Sequence, residues 1–253
     1  MALLLAPALP WKLSFYPMID YKNRSSQKEI LDQKNIPFAD IALNMKELDW
    51  INSHLGGHSI TIAGFRKLVK NRKLISVCEI GCGGGDNLNS LYKFCIKNKI
   101  VANFTGIDIS EECIAFAREK TLIENAEFIV SDYKKINFEN EKPDIIFSSL
   151  FCHHFANDEL IEMLKWMKEN SKIGFFINDL HRHRVAYHFI KTATSFFSKS
   201  YLVKNDAPIS VLRGFKKNEW KNILQNAGTK NYSIKWKWAF RFLIVAFNSE
   251  NCA

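Results

Sequence analysis

The sequence predicts an α/β fold in which a doubly wound, mostly parallel sheet of seven strands carries helices on both faces. Two observations predict it. From Leu74 onward, short apolar runs alternate with segments of helical apolar spacing, the pattern of repeated strand–helix–strand units. The runs are almost continuously apolar, as expected for strands buried on both faces of a parallel sheet. The closing pair of strands predicts one antiparallel strand at the edge.

The predicted strands are short: LISVCEI, NFTGIDI, AEFIVSD, DIIFSSLF, IGFFIND and, for the last two, YSIKWKWAFRFLIVAF. Helices are expected between them over NLNSLYKFCIKN, after the N-cap Ser110, from Asn157 to about Asn170, and from about Arg182 to Phe197. The segment SKSYLVKNDAPISVLRG is predicted to be a basic, turn-rich connection, and Gly228 ends the last helix.

The chain divides into three predicted regions, which are a disordered lead over 1–22, an N-terminal helical cap over 23–72, and the ligand-binding domain over 73–253. Ser26, followed three residues later by Glu29, predicts a capping box at the start of the first helix.

The apolar lead lacks the basic start of a signal peptide, and prolines interrupt it. Met1 and Met18 are therefore both candidate starts, and we expect no transmembrane segment and a cytoplasmic protein.

Composition narrows the classes of partner. The formal net charge is +9, which admits nucleic acid, an acidic membrane surface or an anionic small molecule. Lys and Arg are dispersed, so a nucleic-acid partner is not favoured. None of the six cysteines forms C-x-x-C, and no zinc-finger spacing is present. We therefore expect reduced thiols and no metal site.

A glycine-rich loop follows the first predicted strand, in the sequence EIGCGGGDNL from Glu79 to Leu88. A strand that opens into a glycine turn and then a helix is typical of a ligand-binding loop. The dinucleotide pattern G-x-G-x-x-G fails, because Asp86 and Leu88 occupy the positions of its third glycine. Asp86 would also disfavour a pyrophosphate at the helix N-terminus.

The pattern E-x-G-x-G-x-G resembles the first motif of the class I S-adenosylmethionine-dependent methyltransferases, whose fold is Rossmann-like. The resemblance implies that the backbone at Gly81, Gly83 and Gly85 approaches the cofactor and that Glu79 holds its amino-acid part. It covers roughly residues 74–180 and the closing strands. S-adenosyl-L-methionine is accordingly the expected cofactor.

Two further strand ends extend the resemblance. Asp108, at the end of FTGIDIS, corresponds to the acid that accepts both ribose hydroxyls, and Asp132, in VSDY, to the acid that faces the adenine amino group. Their neighbours Ile109 and Tyr133 are expected to line the same pocket.

Strands four and five are expected to hold the methyl acceptor, because the cofactor occupies the ends of the first three. His153 and His154 follow strand four and are candidate general bases. Asp179 and Arg182, after strand five, complete the predicted catalytic set. Cations are disfavoured at a helix start, so the cluster HRHR suggests a functional role.

His181 and Arg213 are predicted to contact the substrate. The segments LNMKELDWINSHLGGH, NDLHRHRVAY and APISVLRGF together resemble bacterial small-molecule methyltransferases of polyketide, phenolic-lipid and aryl-polyene pathways. The resemblance implies O-methylation of a phenolic or quinol-type small molecule. Three alternatives stay open: C-methylation of a quinone precursor, RNA methylation, and a cofactor-binding pseudoenzyme. The sequence predicts no oligomeric state.

Overall fold

A seven-stranded sheet forms the centre of the structure. The computed structural model describes residues 19–33, 35–139 and 141–248. Its strands are β1 Leu74–Ile80, β2 Val101–Asp108, β3 Glu127–Val130, β4 Ile145–Ser149, β5 Gly174–Leu180, β6 Tyr232–Lys237 and β7 Arg241–Phe247. The helices are α1 Phe38–His54, α2 Gly57–Val69, α3 Asp86–Lys97, α4 Glu111–Lys120, α5 Asn157–Asn170, α6 Arg184–Phe197, α7 Tyr201–Arg213 and α8 Lys217–Asn226.

The strand order across the sheet is β3-β2-β1-β4-β5-β7-β6. β1 to β5 pair in parallel, and β7 pairs antiparallel with both β5 and β6. The predicted fold class is therefore confirmed. The antiparallel strand lies second from the edge, because β6 and β7 form a hairpin whose second strand pairs with β5.

Side chains alternate between the two faces along each strand, as the pleat requires. On β5, Phe176 belongs to the apolar cluster beneath α2 and α3, while Phe175 and Ile177 belong to the cluster beneath α5 and α8. Both faces are thus covered by helices, which explains the nearly continuous apolar strands. This two-sided packing fixes the carboxyl ends of β1 to β5 at one edge of the sheet.

The N-terminal region differs from the predicted cap. Ser26 starts no helix, and the only regular structure before α1 in the described residues is a 3₁₀ turn at Ile30–Asp32. The segment is anchored to α7, because the backbone amides of Ile30 and Leu31 donate to the Asp206 carboxylate. α2 is a core helix whose Phe65 and Leu68 are fully buried against the sheet.

The segment predicted as a turn-rich connection is mostly helix α7, which includes Pro208. Ser200 caps its start by accepting from the Val203 amide. Burial of Leu202, Val203 and Ile209 holds the helix against its sequence propensity. α6 begins at Arg184, after the predicted start at Arg182, because the ring of His183 accepts from the Val185 amide.

The predicted lead over 1–22, including both candidate start methionines, lies almost wholly outside the described residues, which begin at residue 19. Within the described ranges, none of the helices has the length and apolar character that crossing a membrane requires. The cytoplasmic location stays a prediction.

Gly64 tests the close packing of α2 on the sheet. A Cβ atom at this position would lie 2.5 Å from the ring of Phe176 and 3.0 Å from Leu243. In an open helix, Gly→Ala stabilises by about 1 kcal/mol, but overpacking in a core costs about 1–3 kcal/mol. We expect Gly64→Ala to lower the free energy of unfolding in a urea titration. Arg66→Ala, exposed on the same helix, is the control, and a stabilised Gly64→Ala variant would contradict the packing.

Candidate functional site

The carboxyl ends of the parallel strands open onto a cavity of about 1420 Å³. Such an edge is where ligands bind in open α/β sheets. Its walls come from the glycine loop, the end of β2, the 3₁₀ turns at Tyr133–Lys135 and Cys152–His154, the N-terminal segment around Glu29, and helices α1, α6 and α7.

The glycine loop has the backbone conformation that glycine favours. Gly81, Gly83 and Gly85 have φ of +67°, +49° and +74°, values that most residues adopt only with strain. A Cβ atom at Gly81 would lie 2.3 Å from the ring of Phe151. The Gly83 amide donates to the Asp108 carboxylate at 2.8 Å, so the loop is fixed to the end of β2.

Glu79 is a buried carboxylate that lacks hydrogen-bond partners. The side chain is 1% exposed, and neither of its oxygens has a hydrogen-bond partner. Burial, followed by the charges of Asp86 and Asp108, raises the pKa of Glu79 well above its ordinary value. Because a buried unpaired carboxylate is costly, a cationic ligand group here would stabilise it. Glu79 therefore fits the ammonium group of the predicted cofactor.

Asp108 lines the cavity and accepts two backbone hydrogen bonds, from Gly83 and from Ser110 at 3.0 Å. Burial raises its pKa. Each carboxylate oxygen accepts about two hydrogen bonds, so both keep acceptor capacity for ribose hydroxyls. Ile109 is 75% exposed on the cavity wall, and Ser110 caps α4 as predicted.

Asp132 and Tyr133 lie at the end of β3 on the same cavity. The Asp132 carboxylate accepts from the Lys134 amide at 3.0 Å and caps the 3₁₀ turn. Tyr133 is buried with its ring edge against Trp166, and burial raises its pKa. Its hydroxyl has no hydrogen-bond partner. The predicted cofactor residues at the ends of β1, β2 and β3 thus surround one cavity or directly precede its loop.

His153 forms a buried ion pair with Asp179. Its Nδ1 lies 2.9 Å from the Asp179 Oδ1, and both side chains are at most 3% exposed. Burial acts to lower the pKa of His153, but Asp179 and Glu29 outweigh it and raise the pKa to about 9. Burial acts to raise the pKa of Asp179, and His153 outweighs it, so that pKa is lowered. Asp179 therefore orients His153 and does not line the cavity.

Two carboxylates of the N-terminal segment complete this wall. Glu29 Oε1 lies 3.5 Å from His153 Nε2, and Glu29 Oε2 lies 3.8 Å from His154 Nε2. Asp32 Oδ1 lies 3.1 Å from His154 Nδ1. Burial acts to raise the pKa of Glu29, but His153 outweighs it and lowers the pKa. The sequence predicts Glu29 as a helix-capping residue. An acid pair spaced E-x-x-D was the available signal.

Arg213 borders the cavity, but its guanidinium is engaged with protein groups. It donates to the carbonyls of His153, His154 and Gln27 at 2.7–3.0 Å. Its Nη1 also lies 3.4 Å from Asp32. Arg213 therefore holds the histidine turn against the N-terminal segment, and four of its five N–H donors are bonded to protein acceptors.

Arg182 and His181 do not reach the cavity. Arg182 is fully buried and forms an ion pair with Glu219 at 2.6 Å, besides donating to the carbonyls of Tyr21, Lys22 and Gly214. His181 packs against Phe240 and Phe242, and burial, with nearby cations, lowers its pKa to about 4. The geometry does not support the predicted catalytic role of Arg182 or the predicted substrate contact of His181, because neither side chain lines the cavity.

A second polar network at the start of α3 was not predicted. Asp86 Oδ2 accepts from Asn52 at 2.8 Å and lies 2.8 Å from the Nε2 of His58. Burial acts to raise the pKa of Asp86, but His58 outweighs it and lowers the pKa. Arg241 donates to Asn52, and burial lowers its pKa to about 10. With Asn52 and His58 as hydrogen-bond partners, the Asp86 carboxylate is tolerated beside the loop.

Comparison with protein families gives a match over residues 71–228 to the model described as a methyltransferase domain. This match covers more than half of the chain.

The chain belongs to the methyltransferase domain family.

Family membership confirms the predicted enzyme class, a methyltransferase, and solved structures of this fold contain SAH, in agreement with the predicted cofactor. The residue-by-residue site assignment remains our proposal.

Similar proteins agree with the fold. N-methyltransferase 4 of Papaver somniferum is 31% identical over 111 residues, which span 42% of this chain and 31% of that enzyme. The plantazolicin methyltransferase BpumL, solved with SAH, has a TM-score of 0.61 at 19% identity, covering 84% of this chain and 96% of that one. A methyltransferase from Aquifex aeolicus has a TM-score of 0.61 at 19% identity, covering 85% and 100%.

Glu79→Gln tests the buried carboxylate. A folded-state pKa raised above the unfolded value means that stability is lost as pH rises through the folded pKa. Without bound ligand, the Glu79→Gln variant should therefore melt at a higher temperature than the wild type at neutral pH. This difference in melting temperature should shrink as pH falls. S-adenosylmethionine affinity, measured by calorimetry, should fall about 10- to 100-fold with the lost charge-assisted bonds. Equal melting curves with unchanged affinity would contradict this role.

Arg182→Ala tests whether this residue is structural. Removing one partner of a buried ion pair costs about 3–5 kcal/mol, so the midpoint of denaturant unfolding should fall markedly. Arg184→Ala, at an exposed position on α6, should stay within about 0.5 kcal/mol. Full stability of Arg182→Ala with lost turnover would restore the catalytic role that the sequence suggested.

Proposed function

We propose that this methyltransferase moves the methyl group of S-adenosylmethionine to a hydroxyl oxygen of a phenolic or quinol-type small molecule. The observation that carries the proposal is the cluster of Glu29, His153 and His154 on the wall of the cavity that also holds the glycine loop and Asp108. The cofactor side and this cluster share one chamber, so a bound acceptor contacts both.

Methylation of a hydroxyl oxygen requires a proton acceptor, and this cluster provides candidate groups. A hydroxyl is a weak nucleophile until it loses its proton, and an unperturbed phenol has a pKa of about 10. Glu29 presents carboxylate oxygens, and His154, with Nδ1 on Asp32, presents Nε2. One of these atoms accepts a hydrogen bond from the hydroxyl of the methyl acceptor and receives its single proton. The oxygen–methyl bond then forms as the sulfur–methyl bond breaks, with the electron pair passing to sulfur.

Proximity supplies the rest of the rate. Holding two reactants in line contributes up to about 7–11 kcal/mol in favourable cases. The cavity volume of about 1420 Å³ accommodates a small acceptor beside the cofactor, since ligand pockets usually measure about 300–1000 Å³. The solved neighbours named for plantazolicin and for magnesium protoporphyrin IX support a small molecule as acceptor.

A nitrogen acceptor is the second candidate. The similarity to N-methyltransferase 4 favours it, and the carboxylates of Glu29 and Asp32 suit a cationic amine. An amine must also lose a proton before attack, so the same cluster serves both reactions. The acceptor atom is therefore decided by product analysis.

The test is incubation of the full chain with methyl-labelled S-adenosylmethionine and a panel of phenols, quinols, aryl amines and RNA, followed by mass spectrometry of the products. We expect label on a phenolic or quinol oxygen. Label on carbon, nitrogen or RNA alone, or no transfer to any acceptor, would overturn the proposal.

Glu29→Gln tests the cluster within the same assay. Loss of a proton-accepting group costs about 10²- to 10⁴-fold in rate. We expect turnover to fall in this range while cofactor affinity in calorimetry changes little. Asp20→Asn, an exposed change on the same segment, should leave both values unchanged. Parallel loss of cofactor affinity and turnover in Glu29→Gln would place this residue in the cofactor pocket instead.

A further inference from the structure

Three side chains of this wall converge on one point. The Nε2 atoms of His153 and His154 lie 3.5 and 3.8 Å from the two oxygens of Glu29, and one ligand atom from each residue lies within 4.8 Å of the other two. These separations are long for hydrogen bonds. The 3.5 Å separation is close to the edge of a coordination tetrahedron, which is about 3.3 Å when metal–nitrogen distances are about 2.0–2.1 Å. The 3.8 Å separation involves the other Glu29 oxygen, so the three side chains would draw closer around a cation.

The outer nitrogen of each histidine already has a carboxylate partner. His153 Nδ1 lies 2.9 Å from Asp179, and His154 Nδ1 lies 3.1 Å from Asp32. In metal sites, a ligating histidine almost always donates its other ring N–H to such a group, which fixes the ring and its tautomer. Here both rings are held so that the Nε2 atoms face Glu29.

Glu29 is equally well positioned. Its Oε1 accepts from the Ser210 hydroxyl at 2.7 Å. The segment that carries it is anchored by the Asp206 carboxylate on the next two amides, those of Ile30 and Leu31. The carboxylate is 5% exposed, which excludes a loose surface position.

We propose that Glu29, His153 and His154 form a binding site for a divalent transition-metal cation of the zinc type, with its open positions toward the cavity. Two imidazole nitrogens with one carboxylate match the His₂Glu set of catalytic zinc sites and suit zinc or iron better than magnesium, which prefers oxygen ligands. The sequence predicts no metal site, because Glu29 is distant in the chain from His153 and His154 and no cysteine or zinc-finger spacing is present.

A second group within the described ranges, Asp49, His58 and Asp86, fits a cation less well. It offers one nitrogen, and the Asp49 side chain is 56% exposed. His58 and Asp86 are already at hydrogen-bond distance, 2.8 Å, and Asn52 donates to the same oxygen. The Glu29 group keeps its inner atoms directed at each other and is the better site.

Cation binding does not depend on the identity of the methyl acceptor. Its consequence rests on the proposed function. With a cation bound, the Glu29 and His154 atoms that otherwise accept the proton become ligands, and a hydroxyl oxygen coordinated at an open position would lose its proton to solvent more readily, as metal-bound water does. The site then selects acceptors with an ionisable hydroxyl.

The test measures cation binding directly. Tag-free full chain is treated with chelator, dialysed and titrated with Zn²⁺ by calorimetry, and with Co²⁺ as a visible-absorption probe. We expect one Zn²⁺ per chain, bound more tightly than Mg²⁺. His154→Gln and Glu29→Gln should weaken Zn²⁺ at least tenfold, and Asp32→Asn about 10- to 100-fold. His54→Ala, an exposed histidine on α1, should change nothing.

The proposal is overturned if the wild type binds no Zn²⁺ after chelator treatment, or if His154→Gln and Glu29→Gln bind it as His54→Ala does. Circular dichroism and cofactor binding, measured for each variant, separate lost ligands from lost structure. Zn²⁺ binding without transfer to any hydroxyl would refute the proposed function and leave the metal site standing. Hydroxyl methylation that persists after chelator treatment, with no Zn²⁺ bound, would refute the metal site and support the proposed function.

Discussion

The carboxylate of Asp179 is the constraint on which the acceptor side of this structure depends. It is fully buried at the end of β5, where an unpaired charge is costly, and its partners are His153 and the amides of His153 and Leu180. The pair can form only if the turn after β4 folds over β5. Three carbonyls of that turn, those of His153, His154 and Phe155, accept hydrogen bonds from Arg213 of α7 and Arg24 of the N-terminal segment. One buried charge thus determines how two distant parts of the chain close the cavity.

Three arginines are buried in the described residues, and each connects a different pair of elements. Arg182 joins β5 to α8 through Glu219, and Arg213 joins α7 to the histidine turn. Arg241, on β7, reaches Asn52 of α1 and so supports the polar network around Asp86. Most of their donors bond to carbonyls and side-chain acceptors of the protein. The positive charge that the sequence places near strand five therefore supports the architecture, and the part of the cavity wall around Glu29 presents carboxylates and imidazoles.

Prediction from sequence succeeded where the signal is local. The mostly parallel strands, the glycine loop and the Ser110 cap are each predicted from neighbouring residues in the sequence. The structure contains all of them. It failed where a long-range contact decides. Glu29 has the spacing of a helix cap, yet Asp206 captures the next two amides and turns the carboxylate to the histidines. Arg182 follows a strand end as a catalytic residue would, but its side chain turns to Glu219. The apolar spacing of a sequence indicates which residues are buried, but it does not indicate which side chains they contact.

This difference separates the two halves of the cavity. The cofactor half is built from backbone geometry at three glycines and from acids at successive strand ends, so any chain with that local pattern can form it. The fold is accordingly shared with neighbours at 19% identity. The acceptor half combines the N-terminal segment, the turn after β4 and α7, which meet only in the folded chain. Because the proposed acceptor site is this long-range assembly, the chemistry of Glu29, His153 and His154 is a better guide to the substrate than the fold is.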